Sequence, residues 1–276
     1  MAERIFAMIK GESGSGKSIQ ANSFPEVYNF DFDHRLQAVK RFYAKRNPEK
    51  KIHGRSYQVN EFPAMYKEVE TWAERGRCPY QTINFDTSTT IIEAILHYVN
   101  VAKGSTQSKA KTAEGDVGFG MSLKLGILSL PPLDDFRWLI KGFQDILALA
   151  RQIDNVHVIL CCHVQQVSEK KGKTTVSRSV LANQGLAQKL PVSFDEIYHM
   201  DVETGILSTE KTKRIIVTEH SGDDFARTSL NLPARIDVTD KFIYDHIISY
   251  HPEFEVVQGQ VTEVKQGLIG EAPFKL

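Results

Sequence analysis

The chain has 276 residues, of which 41% are hydrophobic and 25% charged, and its 34 basic residues balance its 34 acidic ones. This composition is typical of a globular protein and excludes disordered, collagen-like and coiled-coil chains. The net charge of zero argues against a protein that binds nucleic acid over its whole surface. The sequence has no run of 18 apolar residues that would span a membrane. Three cysteines are too few for a disulfide framework, so we expect a soluble cytoplasmic protein without a membrane partner.

Strands and helices alternate in the first part of the chain. Short apolar runs predict buried strands, and apolar residues at three- and four-residue spacing predict amphipathic helices. The predicted elements are a strand over 5–9, a strand over 27–32, a helix over 61–75, a strand over 82–86 and a helix over 90–101.

The second part of the chain contains two long polar segments, over residues 103–132 and 168–179. Connections this long are usually functional or mobile. Around them the pattern predicts a helix over 134–153, strands over 156–162, 194–200 and 214–219, and a helix over 241–250. Buried strands that alternate with helices predict an α/β fold with a mostly parallel central sheet flanked by helices. We expect the last strands to pair antiparallel at one edge of this sheet, near the C-terminus.

A phosphate-binding motif follows the first predicted strand. The pattern G-x-x-x-x-G-K-[ST] is matched by Gly11, Glu12, Ser13, Gly14, Ser15, Gly16, Lys17 and Ser18. Its glycines let successive N–H groups point at one anion, and the helix that follows adds its positive end. We expect Lys17 to reach the β- and γ-phosphates of ATP or GTP and the Ser18 hydroxyl to ligate Mg²⁺. The alternative is a flexible glycine turn.

Polar residues at the ends of predicted strands are further candidates, because ligands bind beyond the carboxyl ends of parallel strands. Asp86 stands where an acid would hold the hydration shell of Mg²⁺, although it could instead cap the next helix. Asp31 and Asp33 flank one aromatic residue and would share a face of an extended strand, so either is a candidate base for the attacking water. His163 ends a buried strand and is a candidate contact for the γ-phosphate, with a purely structural role as the alternative.

These motifs, in this order, resemble those of RecA-like P-loop ATPases, and most of all phage-encoded recombination and single-strand annealing ATPases built on that core. The resemblance covers roughly residues 4–235. It implies a RecA-like fold, with Asp86 as the acid of the Walker B strand and His163 as the sensor of the γ-phosphate. It also places Asp33 where relatives carry their catalytic carboxylate, which is usually glutamate.

The same resemblance implies assembly into a ring or filament. Residues 225–229 resemble the stretch in which relatives carry a cationic finger that reaches the ATP of the neighbouring subunit. Arg227 would be that finger, while Ser229 stands where a second cation is expected. Arg214 is a rival for the role, and a plain surface arginine is the simpler alternative.

Such ATPases place two DNA-binding loops where this chain has its two long polar segments. The second segment gathers Lys170, Lys171, Lys173 and Arg178. Only Glu169 opposes these cations, which favours binding to a phosphate backbone that weakens steeply in salt. Phe119 in the first segment is a candidate for base stacking. The alternative for the second segment is a solvated surface.

We therefore expect an ATP- and Mg²⁺-dependent ATPase that binds single-stranded DNA in phage recombination, replication or repair, in the host-cell cytoplasm. The ATPase domain is predicted over residues 1–235, and a C-terminal helix and tail over 236–276. One alternative is a nucleotide-dependent assembly or packaging factor without DNA specificity. Another is a P-loop kinase for a small molecule, but a kinase normally carries several lid arginines, and residues 130–165 offer only Arg137 and Arg151.

Overall fold

The computed structural model describes residues 4–110, 124–125, 128–129, 135–171, 173–180, 184–203, 212–220 and 225–254. Within these ranges the chain forms eleven strands and seven α-helices. The strands are β1 (Phe6–Gly11), β2 (Val27–Asp31), β3 (His53–Ser56), β4 (Thr82–Asp86), β5 (Lys124–Leu125), β6 (Leu128–Ser129), β7 (His157–Lys171), β8 (Lys173–Val180), β9 (Glu196–Glu203), β10 (Lys213–Val217) and β11 (Arg235–Asp237). The helices are α1 (Lys17–Ala21), α2 (Leu36–Arg46), α3 (Phe62–Glu74), α4 (Ser88–Ala110), α5 (Asp135–Gln152), α6 (Gln184–Lys189) and α7 (Ile243–Tyr250).

A nine-stranded central sheet organises the fold. Its strand order is β11-β10-β9-β1-β7-β4-β2-β3, and β8 pairs with β7. Six neighbouring strands run parallel to one another, namely β9, β1, β7, β4, β2 and β3. Strand β10 is antiparallel to both β9 and β11. This confirms the predicted fold class, an α/β P-loop core with a mostly parallel sheet, flanking helices and antiparallel edge strands near the C-terminus.

Hydrophobic clusters cover both faces of the sheet. Phe6 and Met8 of β1 belong to the cluster that includes residues of α3, α4 and α5, while Ala7 and Ile9 belong to the cluster that includes residues of α1 and α7. This division follows from the geometry of a strand, whose successive side chains point to opposite faces. Burial on both faces explains why β1 and the first part of β7 are nearly continuous apolar runs, whereas β4 has only Ile83 and Phe85 as apolar side chains.

The strand register brings the candidate site residues to one edge of the sheet. Gly11 at the end of β1 pairs with His163 of β7. Asp86 at the end of β4 pairs with Asp31 of β2 on one side and with Cys161 of β7 on the other. Because these strands are parallel, their carboxyl ends meet at the same edge of the sheet.

β7 leaves the sheet as one strand of an antiparallel hairpin. Its pairing with β1 ends at His163, and from Val164 onwards the described pairing is with β8. The predicted polar loop over 168–179 is therefore wrong, because the segment folds back on itself and its three consecutive β-branched residues, Thr174, Thr175 and Val176, favour a strand. The hairpin carries the predicted DNA-binding residues Lys170, Lys171, Lys173 and Arg178, whose side chains lie outside the described part of the structure.

The first polar segment is partly helical. α4 continues to Ala110, beyond the predicted end at residue 101, and the short strands β5 and β6 pair antiparallel. Phe119, the predicted stacking residue, lies outside the described residues. None of the described helices is long and apolar enough to cross a bilayer.

The C-terminal elements pack into the same core as the phosphate-loop strand. Ile236 of β11, Ile247 of α7 and Phe254 share a buried cluster with Ala7 and Ile9. The predicted boundary after residue 235 thus falls inside β11, and β11, α7 and Phe254 each contribute side chains to this core. Residues 255–276 lie outside the described ranges.

Candidate active site

The loop between β1 and α1 needs glycine at two positions. Gly14 and Gly16 have φ values of +81° and +107°, in the left-handed region that residues with a Cβ rarely adopt. α1 begins directly afterwards at Lys17, and Gln20 N donates to the carbonyl oxygen of Gly16 at 3.0 Å. Lys17 and Ser18 therefore stand in the first turn of the helix, beside the loop.

Lys17 is buried, with 4% of its surface exposed, and its ammonium group bridges the loop. Its Nζ donates to the carbonyl oxygens of Gly11 at 3.0 Å and Glu12 at 2.7 Å, and lies 3.3 Å from Nδ1 of His163. Burial lowers the pKa of Lys17 from its ordinary value. Because its partners are carbonyl oxygens, an anion in the loop offers this ammonium stronger, charge-assisted hydrogen bonds.

His163 faces the same loop from the end of the sheet strand. It is half-buried, and burial lowers its pKa, with the charge of Lys17 acting in the same direction. An ammonium group can only donate, so Nδ1 of the neutral ring accepts from Lys17 and the ring proton lies on Nε2. This tautomer keeps one N–H available for a ligand oxygen in the loop.

Asp86 and Ser18 face each other across the site. Burial raises the pKa of Asp86 to about 6. The carboxylates of Asp31 and Asp33 act in the same direction as burial, whereas the nearby Ser18 hydroxyl and the charge of Lys17 oppose it. Capping of α4 is not its role, because Thr87 and Thr90 make the hydrogen bonds at the start of that helix.

The donor set fits a magnesium ion. Magnesium prefers oxygen ligands, usually one or two from the protein together with waters and phosphate oxygens. Ser18 supplies a hydroxyl and Asp86 a carboxylate, and the buried Oδ1 of Asp86 has no hydrogen-bond partner among the described residues. A buried carboxylate oxygen without a partner is costly unless a cation or donor fills the space beside it. Ser18 and Asp86 are therefore the residues that would hold Mg²⁺.

Asp31 and Asp33 have different surroundings. Asp31 is buried and caps α2, because its carboxylate accepts from Arg35 N at 3.1 Å, Leu36 N at 3.0 Å and the Ser56 hydroxyl at 2.6 Å. Asp33 follows the end of β2 and forms an ion pair with Arg35 at 2.9 Å. The expectation that both acids share a face of one strand is wrong, because the strand ends at Asp31. Asp33 is the one that lines the cleft beside the loop.

This cleft has a volume of about 270 Å³ and two different walls. One wall is the phosphate loop with Lys17, Ser18 and His163. The other is α2, which contributes Arg35 and the apolar side chains of Ala38, Val39 and Phe42. Sequence reasoning missed this second wall, although Leu36, Val39 and Tyr43 of α2 have the spacing of an amphipathic helix. A polar wall beside an apolar one suits a ligand with phosphates and a flat base.

Arg227 lies at the other end of the sheet. It pairs with Ile197, and its guanidinium donates to the carbonyl oxygens of Phe194 and of Pro191, the latter at 3.2 Å. These two residues precede β9, which runs parallel to β1, so the guanidinium is at the amino end of the strands. The phosphate loop is at the carboxyl end, and the structure does not bring Arg227 to the phosphate loop of its own chain.

Arg214, the rival cation, lies against the loop. Its Cδ and Nε atoms are 3.4 Å from the position that a Cβ on Gly16 would occupy. Both of its backbone polar groups are hydrogen-bonded to the segment after β11, since Arg214 N donates to the Thr239 hydroxyl at 2.9 Å and its carbonyl accepts from Val238 N at 2.8 Å. Arg214 is thus an arginine next to the phosphate loop of the same chain.

Residues 3–124 match the protein family described as "AAA domain", a range that includes the phosphate loop and Asp86. This match supports a nucleotide-binding P-loop ATPase. The flagellar accessory protein FlaH from Methanocaldococcus jannaschii is similar in structure, with 13% identity, 84% of each chain covered and a TM-score of 0.37. No curated protein sequence is significantly similar to this chain.

Proposed function

We propose that this chain is a Mg²⁺-dependent ATPase. The observation that carries the proposal is the grouping of Lys17, His163 and Asp33 around one cleft, next to the facing side chains of Ser18 and Asp86. The family match over residues 3–124 supports the same class.

Each residue has a distinct task in hydrolysis. When ATP binds, the Lys17 ammonium donates to oxygens of the β- and γ-phosphates instead of to the carbonyl oxygens of Gly11 and Glu12. The loop amides donate to the same phosphates. Mg²⁺ bound by Ser18 and Asp86 would neutralise charge on those oxygens. Asp33, in the cleft beside Arg35, orients the attacking water and accepts its proton, since a carboxylate within hydrogen-bond reach can act as a general base.

Water is favoured over a metabolite as the phosphate acceptor. A kinase needs arginines over the phosphates, and Arg151 is one of two that the predicted lid region offers. Arg151 instead donates to the carbonyl oxygen of Ser193 and lies 4.2 Å above the ring of Phe6, at the amino end of β1. That position is at the opposite end of the strand from the phosphate loop.

The proposal extends to single-stranded DNA as the partner, in phage recombination, replication or repair. The hairpin of β7 and β8 supports this extension because it carries four cationic residues on a short span of backbone. β7 also carries His163, so the strand that touches the phosphate loop continues directly into the hairpin. Loss of the γ-phosphate beside His163 can therefore alter the position of the hairpin through β7 alone.

The proposal also includes self-association into a ring or filament, with an arginine supplied to the ATP of the neighbouring subunit. Arg227 suits a role in trans because it lies away from the phosphate loop of its own chain, but the carbonyl oxygens of Phe194 and Pro191 must then release it. Arg214 is the alternative. Fingers of this kind accelerate hydrolysis by roughly 10³ to 10⁵ in P-loop enzymes.

An ATPase assay with and without single-stranded DNA tests the proposed function. We expect Mg²⁺-dependent phosphate release that DNA stimulates, and none from Lys17→Ala. Slow release that is indifferent to DNA would favour an assembly or packaging factor. Phosphate that appears on an added metabolite instead of in solution would favour a kinase.

The salt dependence of DNA binding tests the hairpin. We expect the double variant Lys171→Ala/Lys173→Ala to lower the slope of log affinity against log salt by about 1.4, since each contact to a single strand contributes about 0.7. The matched control is Lys67→Ala/Lys141→Ala, which removes two exposed lysines from α3 and α5. Equal slopes in both double variants would show that the hairpin does not contact the DNA.

A mixing experiment tests the finger. Arg227→Ala and Lys17→Ala subunits should each be inactive alone and should regain part of the activity when mixed, because some interfaces then pair an intact loop with an intact finger. A parallel mixture with Arg214→Ala shows which arginine acts in trans. If mixed oligomers form and neither mixture recovers activity, the finger in trans is refuted.

A further inference from the structure

Three buried asparagines lie beneath the phosphate loop. Asn22, Asn29 and Asn84 are each no more than 2% exposed. Asn22 follows α1, whereas Asn29 and Asn84 are register partners in the middle of β2 and β4. Strands that are buried on both faces normally carry apolar side chains, so two facing amides in the middle of this sheet call for an explanation.

The three side chains form one hydrogen-bonded unit, which we call the asparagine cluster. Asn22 and Asn29 exchange two bonds, at 3.0 and 2.9 Å, and Asn84 Nδ2 donates to Asn29 Oδ1 at 2.8 Å. The Cys161 thiol donates to Asn84 Oδ1 at 3.6 Å. Asn29 also donates to the carbonyl oxygen of His53 at 2.8 Å, which links the cluster to β3. A satisfied buried network of this kind fixes the relative positions of the elements that contribute to it.

The asparagine cluster is hydrogen-bonded directly to α1, the helix that carries the Ser18 hydroxyl. Asn22 donates to the carbonyl oxygen of Ser18 twice, from Nδ2 at 2.8 Å and from its backbone N at 3.1 Å. α1 has only five residues, and a helix this short has little stability of its own. The position of Ser18 therefore depends on what holds the end of α1.

The other side of the cluster belongs to β4, the strand that carries Asp86. Asn84 and Asp86 are two residues apart on β4 and point to the same face. We propose that the asparagine cluster fixes α1 against β4 and thereby sets the separation between the Ser18 hydroxyl and the Asp86 carboxylate. Its members are positioning residues for the metal-dependent step, and this role rests on the proposed ATPase function.

The test compares Asn29→Leu, which removes the centre of the cluster at similar volume, with Thr82→Val. Thr82 is a matched control because it is fully buried on the same face of β4 and donates one hydrogen bond, to the carbonyl oxygen of Pro25 at 2.7 Å. It lies at the far end of the strand from the phosphate loop. Asn22→Ala is a milder variant that removes the side-chain bonds of Asn22 to Asn29 and to the Ser18 carbonyl but leaves the bond between Asn29 and Asn84, and it serves if Asn29→Leu does not fold.

Two readouts are measured, and only one needs hydrolysis. Amide hydrogen exchange in residues 17–22 should be at least about tenfold faster in the cluster variants than in wild type, and unchanged in Thr82→Val. The kcat should fall, or the Mg²⁺ concentration for half-maximal activity should rise, by about 10- to 100-fold, which is the usual effect of losing a residue that orients metal ligands. Nucleotide affinity without Mg²⁺ should change by less than about threefold, because the loop amides and Lys17 remain.

The outcomes separate this proposal from the proposed function. If wild-type protein does not hydrolyse ATP, the proposed function fails, while the exchange rates of α1 still decide whether the cluster positions the helix. The proposal is overturned if exchange in residues 17–22 is no faster in the cluster variants than in Thr82→Val. It is also overturned if both kinds of variant lose the same fraction of their Mg²⁺-dependent activity.

Discussion

Replacing Asp86 with asparagine should stabilise the ligand-free protein and at the same time abolish Mg²⁺-dependent hydrolysis. Asp86 is 3% exposed, and its Oδ1 has no hydrogen-bond partner among the described residues. Burial raises the pKa of this carboxyl from an ordinary value of 3.8 to about 6. The folded protein therefore binds this proton more tightly than the unfolded chain does, and an ionised Asp86 opposes folding.

The sign and size of the effect follow from proton linkage. Below pH 3.8 the carboxyl is protonated in both states, and between pH 3.8 and about 6 it keeps its proton only in the folded state. The free energy of unfolding thus falls as the pH rises through this window, and the loss is complete above the folded pKa. Two pKa units correspond to about 3 kcal/mol at pH 7 to 8. In Asp86→Asn the amide side chain stays neutral at every pH, with a similar shape and the Ser18 hydroxyl still beside it.

Urea unfolding of both proteins without Mg²⁺ or nucleotide, from pH 4 to pH 8, measures this effect. We expect the free energy of unfolding of Asp86→Asn minus that of wild type to grow from near zero at pH 4 to about 3 kcal/mol at pH 8. Groups that do not interact with Asp86 titrate equally in both proteins and cancel in the difference. A variant that is less stable than wild type at pH 8, or a difference that does not depend on pH, would refute the reasoning. Adding Mg²⁺ and ATP should stabilise wild type more than Asp86→Asn, because the variant keeps Lys17 and the loop amides but lacks the carboxylate that would hold the metal.

Three further substitutions separate the roles of neighbouring residues. Asp33→Asn should leave ATP bound but unhydrolysed, as measured by phosphate release in a single turnover. Rapid phosphate release by this variant would exclude Asp33 as the general base. Asp31→Asn should instead lower the free energy of unfolding by about 1 to 3 kcal/mol, since an amide cannot accept all three hydrogen bonds at the start of α2, and an unchanged urea midpoint would exclude the capping role. Gly54→Ala should destabilise by more than about 2 kcal/mol in the same assay, because its φ is +136° and its Cβ would lie 2.4 Å from the carbonyl oxygen of Asn29. A free energy of unfolding equal to that of wild type would contradict this close approach.

Local patterns explain what the sequence could predict. The phosphate loop is a contiguous motif, and its strand β1 and the start of β7 are apolar runs because helices cover both faces of the sheet. The position of Asp86 follows from the alternation of Ile83 and Phe85 with polar residues before it. The antiparallel pairing of β9 and β10 was also predictable, because the connection between them is too short for a crossover helix.

The remaining features depend on contacts between distant residues. Asp31 and Asp33 differ in role because the chain turns after β2, where His34 adopts a φ of +55°, and Asp31 is bonded to Ser56 of β3. The hairpin of β7 and β8 has no apolar run, so its strand character depends on its pairing. Arg214 reaches the phosphate loop only through the register of β10 with β9. The asparagine cluster joins three elements that no sequence spacing connects.

Equilibrium titration of Mg·ATP at pH 7.5 into wild type and Lys17→Ala decides whether the loop after β1 is a nucleotide site. Wild type should bind one nucleotide per chain with Mg²⁺-dependent affinity, because Ser18 and Asp86 would hold the metal beside the phosphates that Lys17 contacts. Lys17→Ala should show no saturable binding while it retains the circular dichroism spectrum of wild type. Equal affinities in the two proteins, or no binding to wild type at millimolar nucleotide, would contradict the assignment of this cleft.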